Sequence, residues 1–74
     1  MHLRKTTSAG VVTLIQDSSS VISLDANKRI TNVEYGSTPT TVAVSAYTPA
    51  TPNDLWEYGK LNDNGFFNVI YTNR

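Results

Sequence analysis

The chain has no cysteine, one histidine, one tryptophan and few charges: Lys, Arg, Asp and Glu together supply 12 of its 74 residues. Each shortage excludes something. Without cysteine there are no disulfides and no thiolate metal sites, so two common staples of a small fold are missing. With His2 as its sole imidazole, the chain has a poor general base and no credible zinc site, and nothing pairs a nucleophile with a base. No run approaches the roughly 20 apolar residues of a membrane-spanning helix. Residues 11–15 are also too short for a signal-peptide core, and polar Thr6, Thr7 and Ser8 follow Arg4 and Lys5.

Six bases (Arg4, Lys5, Lys28, Arg29, Lys60, Arg74) balance six acids (Asp17, Asp25, Glu34, Asp54, Glu57, Asp63), giving a formal net charge of zero. Such a surface does not steer toward a polyanion, and near-zero charge favours self-association. Size adds to this argument. A chain of this length buries roughly 60% of its unfolded surface, and one small core supplies about 3–5 kcal/mol. Partner subunits are the remaining route to extra stability.

Thr, Ser and Asn, by contrast, supply 24 residues, interleaved with Val and Ile. Val, Ile and Thr total 21, and β-branched side chains fit a pleated surface better than a helix. Runs with strand character lie at 10–16, 21–24, 29–35, 40–47, 55–60 and 66–72, with 2–7 as an additional N-terminal strand. The first, Gly-Val-Val-Thr-Leu-Ile-Gln, is apolar on both faces, as a central or an interface strand would be. Residues 25–28 form a four-residue hairpin loop between two runs, and Asn64-Gly65 signals a hairpin between the last two. In 40–47, Val42, Val44 and Ala46 fall on one face and Thr41, Ala43, Ser45 and Tyr47 on the other. The loop at 48–54, with Pro49 and Pro52, is stiff. Residues 54–58 also fit one helical turn capped by Asp54, but the aromatics and Gly59 favour a strand ending at a turn.

The expectation is one all-β domain over residues 1–74. It would be a small antiparallel barrel or sandwich of five to six strands, on an SH3- or OB-like scale. The alternative is a β-meander that completes its core in an oligomer.

The functional expectation is a non-enzymatic structural or assembly protein without cofactor, metal or catalytic residues. Hydroxyl and amide faces can be covered by a neighbour without burying charge. Tyr35, Tyr47, Trp56 and Tyr58 are the expected partner-binding residues, being large and rigid. Asp25-Ala26-Asn27 has the opening spacing of a calcium loop, but Arg29 takes the next alternate place and no bidentate Glu closes it. The competing class is a small β-barrel that binds single-stranded nucleic acid or a protein, with Arg4, Lys5, Lys28 and Arg29 as its basic patch. Against it, the bases are cancelled by acids and are not interleaved with the aromatics. The composition resembles that of small virion proteins of tailed phages, which build capsid decorations, collars and tail parts. That resemblance implies a virion location, protein subunits as partners and a homo-oligomer; otherwise the location would be cytoplasmic, with no membrane partner.

Overall fold

In the computed structural model, residues 1–15, 20–44 and 54–74 are described. Among them seven segments are extended and none is helical: β1 (His2–Thr6), β2 (Val12–Ile15), β3 (Val21–Leu24), β4 (Ile30–Tyr35), β5 (Thr40–Ala43), β6 (Leu55–Leu61) and β7 (Phe67–Thr72). Seven strands replace the five to six expected, because every run with strand character, the N-terminal one included, is a separate strand. The helical alternative for 54–58 gives way to β6.

One turn chemistry builds three of the hairpins. Thr7 donates its N–H to the Val11 carbonyl (2.9 Å), Gly10 donates to the Thr7 carbonyl (2.9 Å), and Val11 donates to Thr7 Oγ1 (3.1 Å). Asp25 and Asn62 repeat the arrangement. Asp25 donates to the Arg29 carbonyl and Asn62 to the Phe66 carbonyl, both at 2.9 Å. Asp25 Oδ1 accepts from the N–H groups of Asn27 and Arg29, and Asn62 Oδ1 from those of Asn64 and Phe66. In each turn the fourth residue is left-handed: Gly10 at φ 85°, Lys28 at 64° and Gly65 at 81°. Glycine adopts that region without strain, whereas a lysine there costs of order 1 kcal/mol. Asn64-Gly65 is therefore part of a three-residue loop rather than a two-residue turn, with Gly65 supplying the positive φ. Asp25 Oδ1 is committed to its own backbone, as an ordinary Asx turn requires.

All pairings are antiparallel. β2-β1-β6-β7 form one sheet and β3-β4-β5 the other. Among the described residues each sheet is an open run of strands with two edges, and neither closes into a barrel. The register places Leu3, Ile15, Tyr58 and Tyr71 on one face of the four-stranded sheet, with Trp56 two residues from Tyr58 on the same side. In the other sheet Val33 lies opposite Ile22 and Val42. Leu3, Trp56, Ile30, Val33 and Val44 are buried in one cluster drawn from both sheets, with Ile15, Ile22, Leu24, Tyr35, Val42, Tyr58 and Tyr71 packed around it. The alternation expected along 40–47 holds as far as Val44: Val42 is half-buried and Val44 buried, while Thr41 and Ala43 are exposed.

Asn73 ties the end of the chain to this core. It is fully buried, accepts the Trp56 N–H at Oδ1 (2.9 Å) and donates from Nδ2 to the Asp54 carbonyl (2.9 Å). Its own N–H donates to the Trp56 carbonyl (3.2 Å). The amide side chain thus continues the β6–β7 ladder past its last paired residues and leaves no buried backbone N–H at Trp56 unpaired.

Candidate functional site

The two outer faces differ in chemistry. Alternation places Ser23, Asn32, Glu34 and Thr41 on the outside of the three-stranded sheet, a mainly polar face that also carries Val21 and Ala43. The outside of the four-stranded sheet carries Val12, Leu14, Leu55, Leu61, Phe67 and Val69 around one ion pair. Val12 is 59% exposed, Leu14 and Val69 37% each.

That ion pair is well made. Arg4 Nε donates to Glu57 Oε1 at 2.9 Å and Arg4 Nη2 to Glu57 Oε2 at 3.0 Å, a bidentate fork across β1 and β6. The Arg4 guanidinium also lies 4.6 Å from the centre of the Phe67 ring. The hydrogen bonds to Glu57 raise the Arg4 pKa above its ordinary value; desolvation opposes this and the charge attraction adds to it. A raised arginine pKa contributes stability at every pH below its strongly alkaline unfolded value, lost only as pH rises through the folded one. The arginine side of the pair therefore adds no pH dependence across the neutral range. With each charge meeting its partner, the face is electrically quiet.

The sequence-derived binding residues fall in different places. Trp56 lies in the core at 4% exposure, its ring centroid 6.3 Å from that of Tyr35. Tyr35 and Tyr58 are half-buried against the same cluster, and Tyr58 Oη donates to the Ser20 carbonyl (3.3 Å) across the sheets. Tyr47 lies outside the described residues, as do residues 48–53 of the proline-bearing loop.

Of the basic residues, Arg4 and Lys5 are neighbours on β1 and so project from opposite faces. Arg4 is held by Glu57, while Lys5 Nζ sits 3.5 Å from Asp54 Oδ2 and 5.6 Å from the Trp56 ring centre. Lys28 and Arg29 belong to the β3–β4 turn of the other sheet. These four bases are not brought together on one strand face.

His2 stands opposite Gly59, with Nδ1 buried and, among the described residues, without a hydrogen-bond partner. Among the described residues no three His, Asp or Glu side chains cluster as metal ligands. Nor, among them, is any helix long and apolar enough to cross a membrane.

What sequence reasoning missed is the exposed apolar set: Val11, Val12, Leu14 and Val21 near β2 and β3, and Phe66, Val69 and Ile70 on or beside β7. One signal was present, since residues 10–16 are apolar on both faces. Among the described strands β2 is an edge, which leaves the interface explanation rather than the central-strand one. The chain matches no protein-family model, no curated protein and no solved structure.

Proposed function

We propose that this chain is a non-enzymatic assembly protein that acts as a symmetric oligomer, its four-stranded sheet covered by neighbouring subunits. One observation carries the reading: among the described residues, eight large apolar side chains are exposed and five apolar side chains are buried. Of the exposed ones, Val12, Leu14 and Val69 lie together on the outer face of the four-stranded sheet, and an apolar face of that kind marks a surface that a partner covers. The internally paired Arg4 and Glu57 support it, since covering that face strands no lone charge. On this reading the fold is a small sandwich, the two sheets face to face over the Leu3–Trp56 cluster, whose modest core is completed by association. A virion setting, as a capsid decoration, collar or tail part, rests on composition and extends the same proposal.

Light scattering across the micromolar range tests it. The expected mass is at least twice the 8.1 kDa of one chain, unchanged between low and high salt because the contact is apolar. A strict monomer throughout that range overturns the proposal. Retention on single-stranded DNA that falls steeply with salt, and that weakens when Lys28 and Arg29 are replaced, would favour the binding-module class instead.

A further inference from the structure

The β2 strand has a feature that the other edges lack. Edge strands are normally blunted by charge, proline or a bulge. On β3 the register slips between Ser23 and Leu24, and against β7 it slips between Tyr58 and Gly59, leaving Ile70 as an extra residue. β5 is regular but presents mainly Thr40, Thr41 and Ala43, with little apolar surface to cover. β2 pairs with β1 without a slip and reads Val-Thr-Leu-Ile, with no charge, proline or glycine.

The backbone groups that β2 turns away from β1, unpaired among the described residues, can be assigned. Thr7 N–H donates to the Val11 carbonyl, so Thr7 and Val11 are a hydrogen-bonded pair. Bonded and non-bonded pairs alternate along an antiparallel ladder. Lys5–Thr13 and Leu3–Ile15 are therefore the bonded pairs, and Val12 and Leu14 turn their N–H and C=O groups away from β1. Two donors and two acceptors stand outward, flanking Thr13 symmetrically.

We infer that β2 is a self-pairing edge: a second copy of this chain adds its β2 antiparallel, about a two-fold axis at Thr13. In that register Val12 lies opposite Leu14 of the second copy, and Leu14 opposite its Val12. Each pair exchanges two hydrogen bonds, four in all, and Thr13 faces its own equivalent in a close non-bonded pair. The result is one eight-stranded sheet in which the exposed Val12 and Leu14 side chains meet across the seam. A second copy is the occupant because the pattern is its own complement: apolar, uncharged and symmetric about Thr13. This inference rests on the assembly reading and adds to it an edge contact, which extends the four-stranded sheet and leaves its outer face open for further subunits.

The lack of cysteine makes the test direct. Opposed Cα atoms in a non-bonded antiparallel pair lie about 4.5 Å apart, within disulfide range. Thr13→Cys is expected to oxidise to a covalent dimer at micromolar concentration, while Ser23→Cys and Asn68→Cys, on the β3 and β7 edges, remain unlinked. Leu14→Lys, which keeps every internal backbone bond and charges the edge, is expected to raise the dimer dissociation constant at least about tenfold. Cross-linking of Thr13→Cys no faster than the two controls overturns the inference. If the unmodified chain is then still oligomeric by light scattering, the assembly reading stands and another surface carries it. If it is monomeric, both fall.

Discussion

Gly59→Ala is expected to remove most of the chain's folding stability. Gly59 is buried in the middle of β6, opposite Val69, where the β6–β7 register shifts. A Cβ built there overlaps the Asn68 carbonyl oxygen and comes within 2.8 Å of the Asn68 carbonyl carbon and 3.0 Å of Val69 Cα. These are backbone atoms, which cannot rotate aside as a side chain can. Overpacking costs about 1–3 kcal/mol when side chains yield, and more when a strand must move. A core of this size holds about 3–5 kcal/mol, so the substitution consumes most of it. Circular dichroism in a urea series reads the result directly. An unchanged midpoint would mean that β6 and β7 do not approach as closely as described.

Trp56→Ala is the second large effect. Removing a buried tryptophan costs about 3–5 kcal/mol through lost transfer energy and the cavity left behind. Here the indole is the largest of the five buried apolar side chains, packed beside Tyr35 and capped by Lys5. The expected outcome is loss of the folded far-ultraviolet signal in the monomer and the oligomer alike. Trp56→Phe, which refills part of the space, is expected to remain folded with a lower midpoint. A Trp56→Ala chain that stays folded yet no longer associates would instead make Trp56 an interface anchor.

These two residues also mark how far the sequence could be read. Alternation of Val, Ile and Thr located the strands because the two-residue period is local. Asp25 and Asn64-Gly65 revealed two turns because turn chemistry is local too, although the loop read as residues 25–28 is three residues long, closed by the bonded pair Asp25 and Arg29. The equivalent turn at Thr7 passed unnoticed, although Thr7 and Gly10 have the same spacing as Asn62 and Gly65. Gly59 fell within the run 55–60, as it falls within β6, but the need for glycine there was not legible, because its reason is the approach of Asn68 from another strand. Partition into two sheets, the position of β2 at an edge and the burial of Trp56 all depend on which strands meet across the chain. Composition and periodicity do not encode that.

The same limit shaped the candidate site. Large aromatics are enriched at interfaces but also fill cores, and in a chain with so few apolar residues the core takes Trp56 and partly takes Tyr35 and Tyr58. Among the described residues the surface left uncovered is mainly aliphatic instead, with Val12, Leu14 and Val69 around a closed Arg4–Glu57 pair, and with Phe66 exposed beside β7.

The central claim is that this fold is an assembly unit with an edge left open for its own copy. Amide exchange at Val12 and Leu14, followed as protein concentration rises, tests that most directly. Both N–H groups should exchange freely at high dilution and become protected together as the oligomer forms, whereas Thr13 is already protected in the monomer by β1. Free exchange at Val12 and Leu14 at every concentration, in a chain whose mass never exceeds that of one copy, would contradict the account.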